Sequence, residues 1–302
     1  MKLKRNKYKS KPITENSLQN EPRNRAFAEE RYRRSIQIEY PDMYAVYKHV
    51  KKLLSISNFI LTTSCERALE TALLLAKPDV LYVEDPSWQM PYVKAAAFDI
   101  EARPLPLIPK DKEELFPARY DYSKLSTDDG CPAFYTTDRF NNILLHESAS
   151  YNALTTNYNH VYIINDATYT LNKETLSSTK HYCDLDTDTS YDVFTIASFG
   201  KRFGCGIRFG ILTYPEHYHD KAQLLREQYI SGEAAQILRD LKEWPEFDLE
   251  HLEWKNAYWN NDVWHPTYTT STEKPFYNES EYKMIKWCDH TLYRLGRRYQ
   301  DI

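Results

Sequence analysis

Apolar residues recur along this chain with two different periods, and the switches between them outline its architecture. From Asp42 to Ser55, the residues Met43, Val46, Tyr47, Val50, Leu53 and Leu54 return every three to four positions, the spacing of one helix face. Tyr40-Pro41-Asp42 ahead of them suits a helix start. Asn58–Leu61 reads as a short strand, followed by a helix from Arg67 to Ala76 with Ala68, Leu69, Ala72 and Leu75 on one side. The same alternation continues. Asp79–Glu84 and Ala133–Thr136 read as strands, Trp88–Phe98 and Leu144–Asn157 as helices, and Val161–Asn165 as a further buried strand. Between Ile100 and about Ser126 the text is proline-rich and charged, and predicts a loop or excursion.

The stretch from Asp192 to Gly210, DVFTIASFGKRFGCGIRFG, opens as a strand and breaks into a polar, glycine-containing turn. A second apolar run, Phe209–Tyr214, follows it. Beyond lie two helices, Lys221–Tyr229 and Gly232–Leu241, then a Trp- and Tyr-rich region and a last helix from about Glu279 to Arg298. Strands alternating with helices predict an α/β fold, a mostly parallel central sheet flanked by helices. The expected division is an arm over residues 1–30, a large α/β domain over 31–225 and a reduced helical C-terminal lobe over 226–302.

Composition narrows the function classes. The 302 residues suit one large α/β domain with a small appendage. A net charge of −4 gives no general attraction to nucleic acid. The basic head from Lys2 to Lys11 is a local exception, and such heads are mostly solvated tails. No apolar run approaches bilayer length, so no membrane partner is expected. The basic N-terminus has no apolar core behind it and is not a signal peptide. Five cysteines, with no Cys-x-x-Cys pair, fit a reducing, cytoplasmic compartment and neither a disulfide framework nor a structural zinc site. Asp184-x-Asp186-x-Asp188 lacks the glycine and glutamate of a calcium loop, so no metal is expected there.

In an open α/β sheet, functional groups gather at the carboxyl ends of the strands. This chain puts Ser64-Cys65-Glu66, Trp88, Arg139, Asp166 with Tyr169, and Ser198 with Lys201 and Arg208 at such ends. Each has an ordinary reading beside a chemical one. Ser64 also suits a helix cap, Trp88 also suits a core, and Lys201 and Arg208 also suit an exposed turn. Taken together the set has a chemical logic. A lysine forms a Schiff base with an aldehyde, and a carboxylate keeps a pyridine nitrogen protonated. Serine, arginine and a helix start hold a phosphate. Those are the needs of pyridoxal 5'-phosphate.

The order of these motifs resembles fold-type I aminotransferases that depend on pyridoxal phosphate, most closely the histidinol-phosphate aminotransferase group, over roughly Tyr40 to Leu241. Ser64-Cys65-Glu66 then Ala68-Leu69 is similar to that family's first phosphate-binding turn. Pro86-Ser87-Trp88-x-x-x-Tyr92 is similar to its Pro-Thr-Tyr-x-x-Tyr with one extra residue, which implies that Trp88 stacks on the ring. Asp166-Ala167-Thr168-Tyr169 resembles Asp-Glu-Ala-Tyr, implying Asp166 at the pyridine nitrogen and Tyr169 at the ring hydroxyl. Ser198-x-x-Lys201 and Arg208 resemble the Schiff-base lysine and its phosphate ligands. Tyr40-Pro41-Asp42 resembles a segment whose tyrosine reaches the neighbouring subunit's phosphate, which implies a homodimer.

Three departures bear on the chemistry. Where the family has Asn-Pro-x-Asn-Pro-Thr-Gly, this chain reads Thr136-Thr137-Asp138-Arg139-Phe140-Asn141-Asn142, with Arg139 at the place of the cofactor-binding asparagine. The loop between Lys201 and Arg208 is one residue shorter. After Arg297-Arg298 little sequence is left for the family's small domain and its carboxylate-gripping arginine. The resemblance implies transamination of an amino acid or amino-acid phosphate, or of its keto-acid counterpart. A decarboxylase or lyase of a modified amino acid or nucleotide-linked substrate is the alternative, because one cofactor set serves both.

Overall fold

The computed structural model describes residues 42–111, 115–137, 141, 144–155, 158–168, 190–198, 208–226, 230–242, 263–265, 268–271 and 282–296. All the elements below lie in one compact unit, Met43–Ile302. The acidic run at 184–188 and the Trp- and Tyr-rich region around 244–259 lie outside the described residues.

The first helix, α1 (Met43–Leu54), buries Val46, Val50 and Leu54 along one side, as its period predicts. Strand β1 (Phe59–Thr62) is buried throughout. Its Leu61 N–H donates to the Tyr47 hydroxyl of α1 (2.8 Å), which occupies a donor on the sheet's edge. Helix α2 (Cys65–Ala76) lays Ala68, Leu69, Ala72, Leu73 and Ala76 inward. Its small residues let it lie close on the sheet. The helix ends where Lys77 turns left-handed (φ 48°) and its N–H caps the Leu73 carbonyl. Strand β2 (Val80–Asp85) alternates, Tyr82 entering one core and Leu81 and Val83 the other. A short helix, α3 (Met90–Ala97), follows it.

The region expected to be a loop after Ile100 contains β3 (Glu101–Ile108) and the two-residue β4 (Arg119–Tyr120). Pro104 and Pro106 give β3 the look of a loop in the sequence. They alternate with the buried Leu105 and Leu107, on a strand that has β2 on one side and only two residues of β4 on the other. An edge position of this kind tolerates the missing N–H. Strands β5 (Ala133–Thr137), β6 (His160–Asp166) and β7 (Ser190–Ser198) form as expected. Between β5 and β6 the expected helix from Leu144 shrinks to α4 (Tyr151–Thr155). Residues 145–147 instead exchange backbone hydrogen bonds with Ala118.

Strand β8 (Gly210–Thr213) completes an eight-stranded sheet of order β1-β8-β7-β6-β5-β2-β3-β4. Strands β2, β3, β5, β6 and β7 pair in parallel, and β8 runs antiparallel to both β1 and β7. Helices α2, α3 and α5 (His219–Leu225) pack one core. On the β1–β8 side, α1 shares another core with α6 (Gly232–Asp240) through Val46, Val50, Ala234 and Leu238.

The C-terminal part, where described, is sheet rather than the expected helical lobe. Strands β9 (Val263–His265), β10 (Tyr268–Ser271), β11 (Tyr282–Trp287) and β12 (His290–Gly296) pair antiparallel in the order β11-β12-β10-β9. The last helix expected over Glu279–Arg298 is therefore a hairpin. Its period is two: Trp287 is buried and Ile285 half-buried, while Met284 and Lys286 are exposed. The turn is Cys288-Asp289, with Cys288 at φ 49°, in place of the Asn-Gly or Asp-Gly that usually announces a hairpin. Trp287 stacks on Phe116 with ring centroids 5.5 Å apart and donates to the Leu107 carbonyl (2.7 Å), fixing this sheet to the end of β3. Among the described residues no helix is long and apolar enough to cross a membrane.

Candidate active site

The strand directions gather one set of ends. β1, β2, β5, β6 and β7 all finish at the same edge of the sheet, and β8 begins there. Register makes this concrete: Thr62 and Ser198 both pair with Gly210, Asp166 pairs with Thr137, and Ile196 pairs with Asp166.

At the β1 end, Ser64 is the N-cap of α2, its hydroxyl accepting from the Arg67 N–H (3.1 Å). The N–H groups of Cys65 and Glu66 precede the first intrahelical bond, from Ala68 N–H to the Ser64 carbonyl. They belong to the turn whose donors a helix leaves unsatisfied. The Glu66 carboxylate pairs with Lys94 of α3 at 2.5 Å. The start of β8 is packed hard against this turn. A Cβ on Gly210 would lie 2.7 Å from the Ser64 carbonyl carbon and 2.9 Å from the Cys65 nitrogen. Glycine is required there for close approach. Arg208, two residues before it, is exposed, and Phe209 between them is buried.

At the β6 end, Asp166 is 6% exposed. One carboxylate oxygen accepts from the Tyr135 hydroxyl of β5 (2.5 Å) and the other from the Thr168 N–H (2.9 Å). Burial pushes this carboxyl above the usual carboxylate range, and the bonds from Thr168 and Tyr135 pull it part of the way back. Among the described residues Asp166 has no ion-pair partner. The Thr168 hydroxyl accepts from the Ser198 N–H at the end of β7 (3.1 Å) and lies 3.6 Å from the Cys65 sulfur. Cys65, Asp166 and Ser198 are thus brought to one place through Thr168. Burial, and then the charge of Asp166, push the Cys65 thiol well up, so it stays neutral. Trp88 lies in the turn between β2 and α3, half-buried against the core on the helix side.

The structure therefore assembles Ser64, Cys65, Asp166 and Ser198, and sets Glu66, Trp88 and Arg208 at the same edge. Lys201, Tyr169, Arg139 and Tyr40 lie outside the described residues. Tyr135 and Thr168 join the site although neither is among the residues expected there. Tyr135 sits inside an apolar strand and carries no motif. Thr168 had a signal, since Asp-x-Thr is the pattern of a side chain folding back onto the N–H two residues on.

The fold, a mostly parallel sheet with β8 set antiparallel between β1 and β7, is shared with solved aminotransferases. Histidinol-phosphate aminotransferase from Clostridium acetobutylicum is similar with a TM-score of 0.59 and 15% identity, over 85% of this chain and 85% of that one. L-threonine-O-3-phosphate decarboxylase from Porphyromonas gingivalis is similar at 0.57 and 11% identity, over 87% and 86%. Aspartate aminotransferase from Thermotoga maritima follows at 0.56 and 15%, over 88% and 81%. At such identities what is shared is the fold. No family model matches the sequence, and none of the curated proteins matches it.

Proposed function

We propose that this chain is an aminotransferase that binds pyridoxal phosphate covalently through Lys201 and acts on an amino acid or amino-acid phosphate. The observation that carries the reading is Asp166. A buried carboxylate held by two donors, with no cation beside it among the described residues, costs several kcal/mol unless a positive charge meets it. A protonated pyridine nitrogen is such a charge, so the donor set fits the cofactor.

Bound there, pyridoxal phosphate supplies a ring that withdraws electrons from the substrate's α carbon. In this reading Asp166 would hold the proton on the ring nitrogen, with Tyr135 and Thr168 keeping its carboxylate aimed. Tyr169, with Arg139 in place of the family's asparagine, would serve the ring hydroxyl, and Trp88 the face of the ring. The N–H groups of Cys65 and Glu66, with Ser64, Ser198 and Arg208, would hold the phosphate. Lys201 would supply the group that moves a proton at the α carbon. A homodimer in which Tyr40 reaches the neighbouring phosphate completes the proposal.

A second reading, decarboxylation, is supported by the likeness to the threonine-phosphate decarboxylase, nearly equal to the first. One experiment separates them. Purified protein with added pyridoxal phosphate should show a visible absorption band that Lys201→Ala abolishes. Amino acids should then bleach the band to the amine form without carbon dioxide release. Release of carbon dioxide favours the second reading, and a wild type without any band contradicts both.

A further inference from the structure

A second buried carboxylate lies at the same edge, and the chemistry above does not use it. Glu84, next to last in β2, is wholly buried. It accepts from the Thr137 N–H (3.1 Å) and hydroxyl (3.0 Å), from Asn141 Nδ2 (2.8 Å) and from the Tyr120 hydroxyl. Two of these partners have a topological meaning. Thr137 is the last residue of β5, and Asn141 stands four positions beyond it in the chain. Asn141 also donates to the Pro86 carbonyl (2.8 Å), two residues before Trp88. One carboxylate therefore holds the end of β5 and Asn141 and, through Asn141, the turn that carries Trp88.

Beside these bonds lies His146, as fully buried as Glu84, with Nε2 3.4 Å from the carboxylate. His146 Nδ1 is 2.7 Å from the Glu147 carbonyl, which only accepts, so Nδ1 carries a hydrogen. Nε2 is 2.8 Å from the Thr137 hydroxyl oxygen, which therefore lies between the imidazole and the carboxylate.

We propose that Glu84, linked to His146 through the Thr137 hydroxyl, is a positioning residue that fixes the Trp88 turn relative to Asn141 and the end of β5 at the strand ends. That the two segments flank a cofactor rests on the function proposed above; the clamp itself does not. Hydrogen–deuterium exchange on the full chain without cofactor tests the clamp. In Glu84→Gln, peptides spanning 86–92 and 137–146 should exchange at least tenfold faster, with β6 and β7 unchanged. A response in one segment only, in neither, or uniformly across the sheet overturns it. If Glu84→Gln does not fold, Asn141→Ala, which cuts the link to Pro86, should speed exchange in 86–92, and an unchanged rate overturns the clamp. Titration with pyridoxal phosphate tests the consequence. Glu84→Gln should weaken binding at least tenfold and shift the visible band, and wild-type affinity with an unshifted band overturns the positioning role. A wild type that binds no pyridoxal phosphate overturns the functional reading and leaves the exchange result to decide the clamp.

Discussion

Two aspartates on neighbouring strands show how differently this chain treats a carboxylate at the two ends of its sheet. Asp192, near the start of β7, is met by His160 Nε2 (3.4 Å), His217 Nε2 (3.2 Å) and the Tyr218 hydroxyl (2.9 Å). Among the described residues, Asp166, at the end of β6, meets hydroxyl and backbone N–H donors and no cation. Both side chains are nearly buried. The first is surrounded by groups able to carry the opposite charge, and serves to join β6, β7 and the segment leading into α5. Among the described residues the second is oriented but not neutralised, the arrangement expected of a group kept for a ligand. On the function proposed above, the contrast separates a carboxylate spent on the fold from one held for chemistry.

Substitutions can break that contrast. Asp166→Asn should have the largest effect: pyridoxal phosphate affinity falls on the order of tenfold to a hundredfold, the value of a hydrogen bond to a charged group. Without cofactor the same change should not destabilise. The folded-state carboxyl is raised above its ordinary range, so its stabilising contribution is complete below that range and is lost as pH rises through the folded-state value. The difference in melting temperature between Asp166→Asn and wild type should therefore shift toward the variant as pH rises. Tyr135→Phe should come next, costing about 1–2 kcal/mol in denaturant unfolding and weakening cofactor binding through Asp166. Asp192→Asn should cost about 1 kcal/mol of stability while leaving cofactor affinity unchanged. His217→Ala removes a partner that is 62% exposed, and should cost under about 1 kcal/mol.

Much of this was legible from residue order. Helices α1 and α2 and strands β1, β2, β5 and β6 follow from local periodicity, because each buries one stripe or a short run of its own side chains. Asp166 and Ser198 were visible at strand ends because direction alone places them there. The prolines of β3 masked a strand whose edge position excuses them, and a Cys-Asp turn concealed the β11–β12 hairpin. The partners of the two buried carboxylates were out of reach for another reason. Tyr135 meets Asp166, and His146 meets Glu84, only through the register of β5 against its neighbours and the pairing of residues 145–147 with Ala118. No local pattern encodes those contacts.

The central claim is that Asp166 supplies the negative charge facing a protonated ring nitrogen. Nitrogen-15 NMR of ring-labelled pyridoxal phosphate bound to the protein reads that proton directly. The account predicts a protonated nitrogen in wild type and in Asp192→Asn, and an unprotonated one in Asp166→Asn. An unprotonated nitrogen in wild type, or a protonated one that survives Asp166→Asn, would contradict it.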